Sequence, residues 1–479
     1  MNMDRKQSIA DFLQAHGQTE PVSFHMPGHK GAAIYRENGY GEFLDHFMDW
    51  DITEIPGADN LFQAESIIAE TMNRYKTMYA SKESYLLING SSAGLIAAIM
   101  TVVPRDGKLI MARNCHKSVF NGLMMAGGQP VYAHPELIEE YEISGEITPE
   151  EIERCLVQHP DSSAVLLPSP NYYGICSDIA AIAEVVHRAG KILIVDQAHG
   201  AHLKFFDAFA GTKKAAENLG ADIVINSTHK TLTSFTQSAV ANLCSDRIDK
   251  YDFEDKLQLI ESTSPSYLLM ASLDINADLL ERRGETLIRQ WKEDLQYFYG
   301  RAADINGLRI MRHPLLDDTK INLDMRAYGI SGLELEELLM EQGIFAELVT
   351  GNIVMCMTGI GNRRCDYERL LDALRKIATA HSLVPERACE QAARDVNGAW
   401  DFQNLAQRPV PKEKERIALE MAAGRVCASS VIPYPPGIPI LCPGEVMDKS
   451  VIDYVKALRE AGEKVIGIDD LGRVTVGKE

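Results

Sequence analysis

Over roughly 150 residues, starting near residue 84, short apolar runs alternate with helical patterns, and this alternation constrains the fold more than any other feature. The strand-like runs are 85–88, 109–112, 131–133, 164–167, 191–195 and 222–226. Helical patterns separate them at 92–102, 148–158 and 179–189. Thr148, Pro149 and Glu151 supply an N-cap, a first-turn proline and a capping-box partner, and Gly190 supplies a stop. Strand and helix in alternation predict a mostly parallel sheet covered on both faces. Such sheets bind ligands at the carboxyl ends of their strands, so that edge is where chemistry is sought.

Two residues fall there. Asp196 follows the run 191–195, and Lys230 lies just beyond 222–226 in Ser227-Thr-His-Lys230. A partly desolvated lysine at a sheet mouth yields a nucleophilic amine. A carboxylate beside it can keep a pyridine nitrogen protonated, which makes the ring an electron sink. Either residue alone reads as an ordinary strand-end side chain; the pair is what carries the argument. Gly90-Ser91-Ser92-Ala93-Gly94 joins a strand to a helix, and its backbone N–H groups and hydroxyls suit a phosphate. The same five residues match the G-x-S-x-G elbow of a hydrolase with Ser92 as nucleophile, a rival that leaves Asp196 and Lys230 without a role. His116 follows the run 109–112, where it either stacks on a cofactor ring or caps the next helix.

Other classes are disfavoured. The 479 residues carry 48 Lys plus Arg against 68 Asp plus Glu, a net charge of −20, which opposes nucleic-acid binding and mildly favours cationic substrates. Nine cysteines without a CxxC pair fit reduced thiols, and no metal site is expected. The first twenty residues lack a signal-peptide core, and the longest apolar stretch, 95–103, is too short to cross a bilayer, so a cytoplasmic protein is expected. His25-Met-Pro-Gly-His-Lys30 lacks the P-loop pattern, and no G-x-G-x-x-G follows a strand. Length and pattern predict an N-terminal segment 1–60, a large domain 61–273, a small α+β domain 274–384 with a long charged helix at 277–299 and a capping signature at Ser331 and Glu334, and a C-terminal α+β domain 385–479.

Together these segments resemble the ornithine/lysine/arginine decarboxylase family. The matching stretches are Phe24-His-Met-Pro-Gly-His-Lys30, Asp51-Ile-Thr-Glu54, Gly57-Ala-Asp-Asn-Leu61, Arg113-Asn-Cys-His-Lys-Ser118, Val195-Asp-Gln-Ala-His-Gly200, Ser227-Thr-His-Lys230, Thr263-Ser-Pro265, Pro433-Tyr-Pro-Pro-Gly-Ile-Pro439 and Pro443-Gly-Glu445. The resemblance implies an aspartate-aminotransferase-like large domain, fold type I of the pyridoxal 5′-phosphate (PLP) enzymes, and decarboxylation of arginine, lysine or ornithine, with arginine preferred. It implies that Lys230 carries PLP as a Schiff base, Asp196 pairs with the pyridine nitrogen and His116 stacks on the ring. Ser91, Ser92 and Ala93 then hold the phosphate with Ser227 and His229, His199 lines the cofactor, and His229 or a nearby acid delivers the Cα proton. Thr263 and Ser264 are expected to approach an active site across the interface of a homodimer or larger homo-oligomer. Glu54, Asp59 and Glu445 are candidates for recognising the substrate's basic group. Two departures stand out: Gln197 replaces a usual Glu, and the chain reaches its HMPGHK motif by residue 25, as in short members without a flavodoxin-like first domain. On the same scaffold, an aminotransferase, a lyase or a PLP-binding protein without catalysis are the alternatives.

Overall fold

The computed structural model describes residues 8–385, 405–406, 408–433, 438–460 and 464–478. Its centre is a seven-stranded sheet of β1 Glu83–Leu87, β2 Lys108–Ala112, β3 Gln129–Ala133, β4 Ser162–Pro168, β5 Ile192–Asp196, β6 Ile223–Asn226 and β7 Ala239–Leu243, in the order β1-β7-β6-β5-β4-β2-β3. β7 runs antiparallel to both its neighbours and the remaining pairings are parallel, so the expected mostly parallel sheet is present with one reversed strand. β7 was not anticipated from the alternation, because it returns after a short connection rather than a helical crossover. Helices α1 Gly90–Val102, α2 Lys117–Ala126 and α3 Leu203–Ala210 follow β1, β2 and β5 respectively. Strand residues such as Val165, Leu193, Ile194, Val224 and Ala241 are fully buried, as expected of a sheet covered on both faces.

The long helix α4, Tyr267–Ala302, starts ten residues earlier than its charge pattern predicts, because the Ser266 hydroxyl accepts from the Leu269 N–H. It runs at about 1.5 Å per residue and therefore spans about 54 Å, joining the sheet domain to the small one. The predicted boundary at 273/274 falls inside this unbroken helix. The small domain's four-stranded sheet consists of β8 Arg309–Ile310, β9 Lys320–Asp324, β10 Leu348–Thr350 and β11 Ile353–Met357, in the order β8-β9-β11-β10. Val22–Phe24 pairs in parallel with Ile344–Ala346, so the N-terminal segment is stitched to the small domain.

At Thr148 the cap is half of the predicted box. Its hydroxyl accepts from the Glu151 N–H at 3.2 Å, but the Glu151 carboxylate turns to the His134 N–H and to Arg154. The C-terminal region folds around its own core of Leu419, Val431, Leu441, Val451 and Val474. Residues 434–437 of the Tyr-Pro-Pro-Gly motif, and most of the polar segment between the small and C-terminal domains, lie outside the described residues. Among the described residues, no helix is long and apolar enough to cross a membrane.

Candidate active site

β5 ends at Asp196 and β6 at Asn226, adjacent strands whose carboxyl ends face the same way, so Asp196 and Lys230 meet at the predicted edge. Asp196 is buried and its backbone neighbour Ala198 donates to Oδ1 at 3.1 Å. Burial pushes its carboxyl pKa up, against the pull of Lys230. Lys230 is half-buried; desolvation pushes its pKa down, Asp196 and Glu347 oppose that, and Lys320 reinforces it. Its Nζ lies 2.9 Å from His199 Nε2 and 5.8 Å from the centre of the Tyr172 ring, which packs 4.6 Å from the His199 imidazole. Burial, followed by the charges of Lys230 and Lys320, drives the His199 pKa well below the usual range. A neutral imidazole so placed accepts a hydrogen bond from the lysine amine and fixes its direction.

Ser91, Ser92 and Ala93 form the first turn of α1, where backbone N–H groups are left without intrahelical partners. Ser227 Oγ donates to Ser91 Oγ at 2.8 Å, which links the helix start to the Lys230 segment. Gly94 lets α1 lie on the sheet, because a Cβ there would come within 2.6 Å of Leu87 and 3.2 Å of Ile225. Ser92 sits inside a regular helix, away from the strained turn a nucleophile elbow requires, and no histidine hydrogen-bonds it among the described residues. The hydrolase reading fails on that geometry.

His116 caps α2: its Nδ1 accepts from the Ser118 N–H at 3.2 Å and lies 2.8 Å from Ser118 Oγ. Burial and the nearby Lys230 hold its pKa at about 3, so the ring is neutral and rigidly oriented. His229 Nδ1 donates to the Ser238 carbonyl at 2.7 Å, and burial lowers its pKa to about 4.

The HMPGHK segment has a role that its sequence did not disclose. Gly28 donates from its N–H to the His229 carbonyl at 2.7 Å, and its own carbonyl accepts from the Gly361 N–H at 3.0 Å. A Cβ on Gly361 would sit 2.1 Å from the His29 carbonyl oxygen. The glycines therefore allow three backbones to stack beneath Lys230. Lys30, half-buried, donates to the carbonyls of His25 and Met357, and desolvation brings its pKa to about 7.

The acidic candidates are sorted by their contacts. Burial pushes the Asp59 pKa up, but N–H groups of Glu65, Ser66, Asn60 and Ile68 outweigh this and hold it at about 2; it anchors the turn into the helix Ile67–Tyr79. Glu445 is consumed by a buried fork with Arg113, at 3.1 and 3.0 Å, and by the Cys442 N–H at 2.8 Å. Both are structural groups rather than substrate recognisers, because their oxygens are already paired inside the protein. Glu54, Thr263 and Ser264 are exposed. The carboxylate whose charge does reach Lys230, besides Asp196, is Glu347, which accepts from the Met26 N–H at 2.8 Å. No spacing rule singled out Glu347; it arrives from the small domain through the turn between Ile344–Ala346 and β10. Gln197 donates from Nε2 to Glu217 and to Asn226 Oδ1, each at 2.9 Å, and accepts from the Ala216 N–H at 2.8 Å. An amide is needed there because a glutamate would face the Glu217 carboxylate.

Residues 8–323 match the family model for the major domain of Orn/Lys/Arg decarboxylases, and residues 386–470 match the model for their C-terminal domain. The chain is 30% identical to an arginine decarboxylase of Bacillus subtilis, over 96% of this chain and 94% of that protein. It is 31% identical to an arginine decarboxylase of Halalkalibacterium halodurans, over 98% and 97% of the two chains. The fold superposes on the constitutive lysine decarboxylase of E. coli with a TM-score of 0.76 at 20% identity, covering 98% of this chain and 82% of that one. With two family models matched along it and a relative aligned over 98% of its length, the chain belongs to the Orn/Lys/Arg decarboxylase family.

Proposed function

We propose that the protein is a PLP-dependent decarboxylase of a basic α-amino acid, arginine first among the three. The observation that carries this is the half-buried Lys230, its amine between His199 and the charge of Asp196, near the start of the α1 helix. The residues present fit PLP. Asp196 would pair with the pyridine nitrogen, Lys230 would carry the aldehyde carbon, and the N–H groups at Ser91, Ser92 and Ala93 with Ser227 would hold the phosphate. His116, locked by its bond to Ser118, offers a flat face for the ring, and the backbone at His229 holds the lysine segment on Gly28.

Bound PLP supplies the electron sink for the pair released when the Cα–carboxylate bond breaks. The chain's own groups do the rest. Asp196, buried at the sheet edge, would pair with the pyridine nitrogen and keep it protonated. His199 Nε2, 2.9 Å from Lys230 Nζ, would accept a hydrogen bond from that amine and orient it. His229 is neutral and its one N–H is committed to the Ser238 carbonyl, so it has no proton to deliver to Cα and would instead fix the segment that carries Lys230. Glu347, within Coulomb reach of Lys230, faces the substrate's distal cation, in keeping with relatives named for arginine and lysine. We assign the protein to the cytoplasm as a homodimer or larger homo-oligomer, with Thr263 and Ser264 on the exposed loop that would meet a partner's site.

The test is to reconstitute the protein with PLP, supply arginine, lysine and ornithine separately, and identify the amine formed with CO2. Agmatine from arginine is expected, and Lys230→Ala abolishes it. Unchanged substrate in all three reactions would overturn the assignment.

A further inference from the structure

Behind the Lys230 cluster lies a second set of charges for which the proposed chemistry has no use. Lys320, at the start of β9, has no solvent exposure at all, and its Nζ donates to three oxygens: the His199 carbonyl at 2.7 Å, Asp317 Oδ2 at 2.8 Å and Thr319 Oγ1 at 3.1 Å. Asp317, also buried, takes His202 Nε2 at 3.1 Å on the same oxygen and the Thr319 N–H at 3.1 Å on the other. His199 and His202 both belong to the connection between β5 and α3, so the small domain grips that connection at two points. The lysine stem runs against Gly174, where a Cβ would come within 2.8 Å of it.

A buried ion pair of this kind is seldom more stable than apolar side chains of the same volume. What an alkyl chain could not do is donate to the His199 carbonyl. That carbonyl fixes the backbone from which the imidazole reaches Lys230; among the described residues the ring's Nδ1 is buried without a hydrogen-bond partner, and the ring packs on the Tyr172 face. We propose that Lys320, clamped by Asp317, is a positioning residue for the reaction at Lys230, holding His199 so that its Nε2 faces the lysine amine. The inference rests on the function proposed for Lys230. Charge supports it as well as geometry. The groups facing His199 are Lys230, Lys320, His116 and His229, all basic, and those facing Lys230 are Asp196, Glu347, Lys320 and His199. Lys320 therefore adds positive potential that keeps the imidazole neutral and opposes protonation at Lys230.

Two substitutions separate position from charge. Lys320→Gln keeps a donor for the His199 carbonyl and removes the charge; Lys320→Met removes both. The readouts on PLP-loaded protein are the absorbance-against-pH midpoint of the cofactor linkage on Lys230, kcat and KM, with thermal melting as the control for folding. Removing the charge is expected to raise the midpoint by about half a pH unit or more in both variants. Lys320→Met is expected to lower kcat on the order of tenfold to a hundredfold with KM within about twofold, while Lys320→Gln keeps kcat within about threefold. With His199→Ala already present, Lys320→Met should cost no more than about twofold further, because the lysine acts through that histidine. A folded Lys320→Met protein with wild-type kcat and midpoint, or losses that simply add to those of His199→Ala, would overturn the proposal. Should Lys320→Met not fold, an unmoved midpoint in Lys320→Gln overturns it instead. A wild-type protein that forms no linkage on Lys230 refutes the underlying function, and this inference with it; a linkage that forms in wild type, with kcat and midpoint unchanged in Lys320→Met, refutes the positioning role alone.

Discussion

The backbone of Gly28 lies directly on that of Thr231, the residue after Lys230: a Cβ at position 28 would stand 2.5 Å from the Thr231 carbonyl carbon and 2.5 Å from the Leu232 oxygen. Neither backbone is a flexible side-chain end, so neither can yield cheaply. Gly28→Ala is expected to cost more than about 3 kcal/mol of stability, or to displace Lys230 and abolish activity in what remains folded. Denaturant unfolding and borohydride trapping of PLP on Lys230 would check both. Gly17, where a Cβ meets nothing within 4 Å, is the control.

Gln197 and Glu217 make a second prediction. Gln197→Glu replaces a donated hydrogen bond by two facing carboxylates in a buried network that also holds Asn226. A loss of roughly 2–4 kcal/mol is expected, and Glu217→Gln in the same chain should restore most of it. A double-mutant cycle by urea unfolding measures the coupling, and additive losses would contradict the assignment.

The buried fork of Arg113 and Glu445 binds the C-terminal region to the segment that carries His116, three residues further on. Arg113 also donates to the carbonyls of Pro439 and Ile440 at 2.7 and 3.2 Å. Glu445→Ala leaves a buried guanidinium without its carboxylate and should cost about 3–5 kcal/mol. Glu445→Gln keeps an acceptor and should cost less. Limited proteolysis is expected to cut the C-terminal region first in the alanine variant.

Glu261 provides a pH dependence. Burial raises its carboxyl pKa from 4.5 to about 7, while the Asn89 N–H just ahead of α1 donates to it at 3.0 Å. The unfolded chain releases this proton near 4.5 and the folded one near 7, so folding is penalised progressively as pH rises from 4.5 to 7 and fully above that. Glu261→Gln should abolish this trend and stabilise the protein at pH 8 by roughly 1–3 kcal/mol. Thermal melts from pH 4.5 to 8 on both proteins read the difference directly, and parallel curves would refute it.

Sequence alone determined the sheet and its chemical edge, because burial on both faces demands runs such as Leu193-Ile-Val195 and the crossovers between them demand helices. It also placed Asp196, Lys230 and the Gly90–Gly94 turn at that edge, since strand ends are local features. It missed β7, which has no helical crossover to announce it, and it cut α4 at residue 274, because a helix that serves two domains changes its buried neighbours without changing its period. Function at long range was beyond its reach. Asp59 and Glu445 read like free acids until the fold paired them, and nothing in the sequence marked Glu347, Asp317 and Lys320, which the small domain brings to Lys230 and His199. Charges take their meaning from their partners, and Arg113 is 332 residues from Glu445 and Lys320 is 121 from His199: only tertiary packing could bring Lys320 to the carbonyl of His199.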